Sequence, residues 1–337
     1  MNDRAAPARR GLPTLPLLLL GLLILGACGD REDGKGRLEI AVIPKGTTHE
    51  FWKSIHAGAL KAEKELDGVS VVWRGTQRED DKAAQVGLVQ DFVANGIDAI
   101  VLAPMDDEAL VAPVKMAAER KIPVIIIDSG LRAEAGRDFA SFVATDNRRG
   151  GALAAAELAR KMGDRGRALL LRYREGSAST TEREQGFLEE MKRHPGVTVV
   201  DPGRYAGATR DSARETAENL LDGDSRYEGI FCSNESATYG MLLALRNRGL
   251  AGKIAFAGFD ASPGLIEALE KDEIHSLVVQ DPMRMGYLGV MAAVRVLRGE
   301  PVEPNQDTGC VLVTRANATE PAVDELLHPD LSKWLDR

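Results

Sequence analysis

The sequence places this chain in the α/β class, as two doubly wound domains with parallel sheets. Three observations lead there. From Leu38 onward, short runs rich in Val, Ile, Leu and Ala alternate with longer stretches of helical periodicity, the pattern of a parallel sheet covered by helices. The alternation forms two series of similar size, with no sequence-level repeat strong enough to mark a duplication. The 337 residues are 44% hydrophobic and 28% charged, a globular composition with apolar material for two domains of ordinary size.

The first series opens with an expected strand over Leu38 to Ile43 and continues with Val69 to Trp73, Ala99 to Ala103, Val124 to Ile127 and Ser141 to Ala144. Branched apolar residues fill these runs and suit a buried, pleated surface. Helices are expected near 51–66, 80–95 and 107–120, the last closed by Ile122-Pro123 because proline disfavours helix in the residue before it. The second series has strands at Ala168 to Arg172, Val197 to Val200, Gly229 to Cys232, Ile254 to Ala257 and Ser276 to Val279. Its helices are expected near 147–163, 180–193, 210–222, 235–248, 262–271 and 283–298. The tail, which contains Pro321, Pro329 and Trp334, should lie along the surface as a short helix and loop.

Ahead of the first strand the pattern changes. Arg4, Arg9 and Arg10 precede an uncharged stretch from Gly11 to Ala27 that contains Leu17-Leu18-Leu19-Leu20 and Leu22-Leu23-Ile24-Leu25. A basic segment before a short apolar one reads as an export signal. It is shorter than the roughly 20 apolar residues of a spanning helix and is broken by Pro13 and Pro16. The stretch ends in Leu25-Gly26-Ala27-Cys28, which resembles the lipobox of bacterial lipoproteins and implies a diacylated Cys28 once residues 1–27 are removed. That removal takes away three arginines and one aspartate and moves the net charge from -8 to -10. Residues 28–37, polar and glycine-rich, read as a flexible tether. No basic footprint suggests nucleic acid. Cys232 and Cys310 are too few for a disulfide scaffold and are expected as free thiols.

In an open α/β sheet, ligands bind beyond the carboxyl ends of the strands. Those positions here carry His49-Glu50-Phe51-Trp52, Asp128-Ser129, Asn234-Glu235, Asp260 and Gln280, so two sets from two domains would face each other across a cleft. Structural roles are open to the same residues. Phe51 and Trp52 suit a core, although adjacent helical positions do not share a face and Trp52 is therefore expected towards the cleft. Asp128, Asp260 and Asn234 suit turns or caps. Arg183, between Glu182 and Glu184, suits a solvated face, and Gln280 a hinge-side hydrogen bond.

The joint order of several short motifs resembles one family. They are Phe51-Trp52, Ile122-Pro123-Val124-Ile125-Ile126-Ile127-Asp128, Thr145-Asp146-Asn147 before Gly150-Gly151, Thr181-Glu182-Arg183 ahead of Gly186-Phe187, Ser233-Asn234-Glu235, Gly258-Phe259-Asp260, and Val279-Gln280-Asp281-Pro282 before Gly286. From about Leu38 to Arg315 the chain is similar to type I sugar-binding periplasmic proteins, the ribose-binding-protein-like group that also supplies the effector domain of LacI-type repressors. The resemblance implies two Rossmann-like lobes joined by a three-crossing hinge, with crossings near Phe142 to Ala144, Gln280 to Pro282 and Thr308 to Cys310. The implied lobes are 38–143 with 281–309, and 144–280 with 310–316, leaving 317–337 as a tail. It also implies that Phe51 and Trp52 sandwich a sugar ring with help from Tyr205, and that Asp128, Arg183, Asn234, Asp260 and Gln280 bond its hydroxyls. Sugar chemistry suits those residue types, because C–H faces pack on aromatic rings and hydroxyls bond well to charged and amide groups. Ser129 stands where the ribose binders commonly carry arginine, and His49 roughly where they carry asparagine. A pentose, a hexose or a related polyol is thus the expected ligand.

No G-x-S-x-G elbow, H-E-x-x-H, C-x-x-C or G-x-x-x-x-G-K-[ST] loop occurs. The acidic groups Glu79-Asp80-Asp81 and Asp106-Asp107-Glu108 sit at expected helix starts, where acids favour the helix dipole, so no metal site and no cofactor are expected. The resemblance, together with the export signal, implies an exported, lipid-anchored, monomeric binding protein of the periplasm or cell envelope that delivers a monosaccharide-like ligand to an ABC-type permease and performs no catalysis. A sugar sensor docking a chemoreceptor or sensor kinase is the alternative, and an exported enzyme on the same fold a more distant one.

Overall fold

The computed structural model describes residues 36–223 and 226–335; the expected export signal, Cys28 and most of the expected tether lie outside the described residues. Twelve strands and eleven helices are formed among them. The first lobe holds β1 (Leu38–Ile43), β2 (Val69–Trp73), β3 (Ala99–Leu102), β4 (Val124–Ile127) and β5 (Ser141–Ala144), and the second β6 (Gly166–Leu171), β7 (Val197–Val200), β8 (Gly229–Cys232), β9 (Ala255–Phe259) and β10 (Ser276–Gln280). Two short strands follow, β11 (Asn305–Asp307) and β12 (Cys310–Val313). The first sheet runs β2-β1-β3-β4-β5-β11, all parallel, and the second β7-β6-β8-β9-β10-β12 with only β12 antiparallel. Both are doubly wound sheets whose order reverses beside the first strand, which is where such folds open a crevice.

Each sheet is buried on both faces, so successive residues of one strand go to different cores. In the first lobe, Ile40, Val42, Val101, Ile125 and Ile127 face α1 (Glu50–Glu65) and α9 (Pro282–Leu297). Ala41, Ile43, Ile100, Leu102 and Ile126 face α2 (Lys82–Ala94) and α3 (Val111–Glu119). In the second lobe, Ala168, Leu170, Phe231 and Phe259 face α4 (Asn147–Met162) and α5 (Ala178–Met191). Leu169, Leu171, Ile230 and Leu277 face α6 (Arg210–Gly223), α7 (Glu235–Asn247) and α8 (Pro263–Glu270).

The chain passes between the sheets three times: from β5 to α4, from β10 to α9, and from β11 to β12. The first two passages enter a helix capped by aspartate. Asp146 accepts the Arg149 N–H at 3.0 Å, and Asp281 the Arg284 N–H at 2.9 Å. Such caps satisfy backbone donors that a helix start leaves open. β11 and β12 were not among the expected strands: β11 is a three-residue, wholly polar run that pairs on one side only, whereas β12 is an apolar run, Cys310-Val311-Leu312-Val313, that pairs antiparallel with β10. The tail forms α10 (Pro321–Leu327) and α11 (Ser332–Leu335). Val323 and Leu327 enter the second-lobe core, and Trp334 packs on α1 of the first lobe under Lys64.

Both hinge helices lie unusually close to the helix that opens the cleft in their lobe. A Cβ at Gly58 would sit 1.9 Å from the Met283 carbonyl oxygen, and one at Gly286 2.1 Å from that of Ile55, so α1 and α9 touch backbone to backbone. A Cβ at Gly151 would sit 1.8 Å from the Arg183 oxygen, and one at Gly186 2.0 Å from that of Arg148, which repeats the contact between α4 and α5. Gly151→Ala is therefore expected to destabilise the protein by at least the ~1–3 kcal/mol typical of overpacking. Gly87→Ala, in α2 with nothing within 4 Å of the new methyl, should stabilise it by ~0.4–1 kcal/mol. Denaturant unfolding of both variants checks this, and equal midpoints for the two would contradict the close-contact account.

Candidate functional site

The carboxyl ends of both sheets meet in a narrow cavity of about 30 Å³ between the lobes, room for roughly two waters at ~10–15 Å³ each. Eight of the expected residues line it: His49, Phe51, Trp52, Asp128, Arg183, Asn234, Asp260 and Gln280. They come from loops after β1, β4, β8 and β9, from the end of β10, and from the starts of α1 and α5. Lys45, Glu79, Tyr173, Ser179, Thr180 and Glu235 complete the lining.

The same position in each lobe carries an aspartate in the left-handed backbone region. Asp128, directly after β4, has φ 63°, and Asp260, directly after β9, has φ 68°. Both are buried. Aspartate tolerates this conformation better than most residues but still at a cost, and such strain concentrates where a side chain must be aimed. Asp128 is aimed at Lys45, whose ammonium lies 2.7 Å from Oδ2 and donates to Ser179 Oγ of the other lobe at 3.2 Å.

Glu79 ties the two lobes together. His49 Nδ1 lies 2.7 Å from its Oε1, Trp52 Nε1–H donates to the same oxygen at 2.7 Å, and the Tyr173 hydroxyl from the second lobe donates to Oε2 at 2.7 Å. Burial alone would raise the Glu79 pKa, but the hydrogen bond and charge of His49, with the Trp52 and Tyr173 bonds, lower it to about 2. Burial likewise would lower the His49 pKa, and Glu79 outweighs it and raises it to about 9. The pair is thus ionised throughout the neutral range. Further bonds cross between lobes from Ser179 N–H to Ser129 Oγ at 3.1 Å, from Asp107 N–H to the Gly176 carbonyl at 2.9 Å, and from Arg174 to the Met105 carbonyl.

The second cluster belongs to the second lobe. Arg183 is not solvated: it is buried, stacks 3.9 Å above the Phe259 ring, and donates to Asn147 Oδ1 at 2.7 Å and to the Ser233 carbonyl at 3.0 Å. Its Nη1 stands 3.8 Å from Asp260 Oδ2. Asp260 accepts from Gln280 Nε2 at 2.6 Å and from the Glu235 N–H at 3.1 Å. Burial drives its pKa up to about 6 against the opposing pull of Arg183 and Gln280. Asn234 both lines the cavity and caps α7, accepting the Ala237 N–H at 3.1 Å. Glu235 pairs with Arg210 at 2.5 Å and accepts the Phe51 N–H from the first lobe at 3.5 Å.

Three expectations need correction. Ser129 is fully buried and spends its hydroxyl on the lobe contact through Ser179, so it does not line the cavity. Tyr205 is 44% exposed and lies off the cavity: its backbone pairs beside Arg172, and alternation turns Ala206 inward and the Tyr205 ring outward. Phe51 and Trp52 do not bracket a ring-shaped slot either, because their own rings meet edge to face, 5.0 Å apart at 87°. Trp52 belongs to the first-lobe core and holds Glu79. The aromatic that the second lobe brings to the cavity is Tyr173, two residues past β6, where the strand-end rule could have found it. Glu79 gave a weaker signal, since the following Asp80-Asp81 makes the run look like a helix start and Asp81 does cap α2.

The charge pair has a pH signature. His49 is raised above 6.5, so its contribution to stability is full below 6.5 and lost as pH rises through about 9. Glu79 is lowered below 4.5, so its contribution is full above 4.5 and lost as pH falls towards 2. The pair thus stabilises most between pH 4.5 and 6.5. Glu79→Gln, which leaves His49 buried without its partner, should cost ~3–5 kcal/mol near pH 6 and flatten the decline between pH 6.5 and 9. Unfolding free energies of both proteins across that range provide the check; parallel curves would refute the assignment.

Comparison with known proteins agrees with this architecture. The profile of the family described as periplasmic binding protein domain matches residues 40–301. The ribose import binding protein RbsB of Salmonella typhimurium is 29% identical over 277 residues, which cover 82% of this chain and 90% of that protein. A D-ribose/D-allose-binding protein of Pseudomonas aeruginosa is 27% identical, covering 86% and 93%. Among solved structures, an ABC transporter solute binding protein from Agrobacterium vitis with bound D-fucose superposes with TM-score 0.83 at 35% identity, covering 86% of this chain and all of the other. A carbohydrate transporter solute binding protein from Agrobacterium radiobacter in complex with D-arabinose gives TM-score 0.83 at 36% identity, covering 87% and all of the other. With two doubly wound lobes, three crossings and a polar cleft between them, the chain belongs to the periplasmic binding protein family, type I.

Proposed function

We propose that this protein captures a neutral monosaccharide or related polyol between its lobes by hinge closure and delivers it to an ABC import permease, with no covalent chemistry. The observation that carries the reading is the interlobe cleft, in which donors and acceptors from both lobes converge on one small space. Its charges are matched: Lys45 with Asp128, His49 with Glu79, Arg183 beside Asp260. A charged ligand would leave one of these buried groups uncompensated, whereas hydroxyls can donate to the carboxylates and accept from the cations. The similar proteins are described as binders of ribose, allose, D-fucose or D-arabinose, which are such ligands.

In this reading Phe51 offers the ring an apolar surface, and Asp128, Arg183, Asn234, Asp260 and Gln280 bond its hydroxyls. The cavity of about 30 Å³ is far below the ~300 Å³ at which ligand pockets begin, so the lobes must part to admit a sugar. They part as two bodies, 38–143 with 281–309 and 144–280 with 310–316, and close again on the sugar. We further propose that residues 1–27 direct export and that a lipid on Cys28 holds the monomeric protein at the membrane by its tether. Among the described residues no helix is long and apolar enough to cross a membrane.

Calorimetry against pentoses, hexoses, polyols and amino acids tests the central claim. At least one sugar or polyol should bind with micromolar-order affinity, about 8 kcal/mol, and Asp260→Ala should weaken it by tenfold or more, about 1.4 kcal/mol. Affinity should also fall as pH drops through about 6, where Asp260 takes up a proton and loses its role as an acceptor. Binding of amino acids alone would sink the reading. Labelling of cells with a radioactive fatty acid should mark the protein, and Cys28→Ala should abolish the label and release the protein from the membrane fraction; an unchanged label would exclude the anchor.

A further inference from the structure

Beside the cleft lies a second, larger space. It measures about 310 Å³ and sits between the β10-to-α9 crossing, the starts of α1 and α8, and the tail. Phe51, Asp260 and Gln280 line both spaces, so they form the boundary between them. The outer wall is the tail, where Leu326 and Leu331 face the chamber. That wall is fixed at both ends, by Val323 and Leu327 in the second-lobe core and by Trp334 on α1.

Among the described residues, two groups in the chamber wall lack a partner: Gln280 Oε1, in the part of the wall shared with the cleft, and the Ser262 hydroxyl. Ser262 is 3% exposed, lines the chamber and not the cleft, and its Oγ makes no hydrogen bond. It occupies the N-cap position of α8, where serine normally spends its hydroxyl on the helix, yet makes no cap bond. A buried hydroxyl without a partner is costly, and native structures rarely keep one without a use. A mostly apolar space of ligand size with an unpartnered hydroxyl in its wall, divided from the sugar cleft by the carboxylate and amide that line both, has the make-up of a binding compartment.

We propose that this chamber is a second compartment of the ligand site and receives an apolar group linked to the sugar, so that the protein accepts alkyl or aryl glycosides as well as the free sugar. The inference rests on the sugar-binding reading above. Held at Asp260 and Gln280, the sugar ring stays in the cleft; its substituent lies against Leu326 and Leu331 of the tail, and Ser262 bonds an oxygen of the substituent.

Titration calorimetry of the purified protein with D-ribose, D-allose, D-arabinose and D-fucose, and with the methyl, phenyl and 4-hydroxyphenyl glycosides of each, tests it. For the sugar that binds, the phenyl glycoside should bind within about threefold of the free sugar or tighter. Ala261→Leu from the second-lobe side and Leu331→Trp from the tail side each fill the chamber, and should weaken the phenyl glycoside about tenfold or more while moving the free sugar by less than about threefold. Ser262→Ala should weaken the 4-hydroxyphenyl glycoside, whose substituent carries an oxygen, and leave the phenyl glycoside within about threefold. Thermal melts identify a variant that fails to fold, and the other filling variant then decides. Binding of the free sugar with rejection of its glycosides overturns the proposal, as does equal weakening of sugar and glycoside in the filled variants. Binding of no glycoside together with no sugar or polyol in the wider screen above overturns instead the sugar reading on which the proposal stands.

Discussion

A charge taken out of water has to be met by an opposite charge or by a full set of hydrogen bonds, and in this cleft the partners are drawn from both lobes. Glu79 shows the constraint most clearly. Its carboxylate is surrounded by His49 and Trp52 from its own lobe and by the Tyr173 hydroxyl from the other. Lys45 repeats the arrangement, paired with Asp128 at home and donating to Ser179 across the gap. Parting the lobes exposes these groups to water, which can solvate them, and closing them requires each to recover its partner. Closure is therefore specified by a few buried polar contacts, while the bulk of the burial energy stays within each lobe.

The supporting frame is built twice by the same means. In each lobe a helix that leaves the hinge, α9 or α4, packs through glycine against the helix that opens the cleft, α1 or α5. That contact fixes the starts of α1 and α5, and with them Phe51, Trp52, Ser179 and Arg183. In each lobe, too, the fourth strand in chain order ends in a left-handed aspartate, and an aspartate cap marks the first two crossings. Such parallels without a visible sequence repeat mean that geometry, rather than residue identity, is what the two lobes share.

Much of this was legible in the chain itself. The alternation of apolar runs located ten of the twelve strands and the nine longer helices, because a parallel strand buried on both faces has to be apolar along its whole length. The strand-end rule also found most of the cavity lining, since Asp128, Asn234, Asp260 and Gln280 follow or end strong strands. The alternation missed β12 although Cys310-Val311-Leu312-Val313 is apolar, and elsewhere it failed where the strand or loop gave no apolar signal. β11 is Asn305-Gln306-Asp307, and only its pairing with β5 makes it a strand. Glu79 stands beside two further acids, one of which is an ordinary helix cap, and nothing local distinguishes the buried member from the solvated ones.

The sequence by itself determined the fold class, the two-lobed plan, the family resemblance and the residue types available at the strand ends, because these depend on periodicity and on order along the chain. Only the tertiary structure decided which side chains meet. It turned Tyr205 outward and brought Tyr173 in, spent Ser129 on the contact between lobes, stood Phe51 edge-on to Trp52, and joined Glu79 to a tyrosine 94 residues further along. It also laid the tail across both lobes, from a second-lobe core to a first-lobe helix. Each of these is a long-range pairing, set by the registers of two sheets and the packing of helices on them, and no local pattern in the chain encodes where two such registers will coincide.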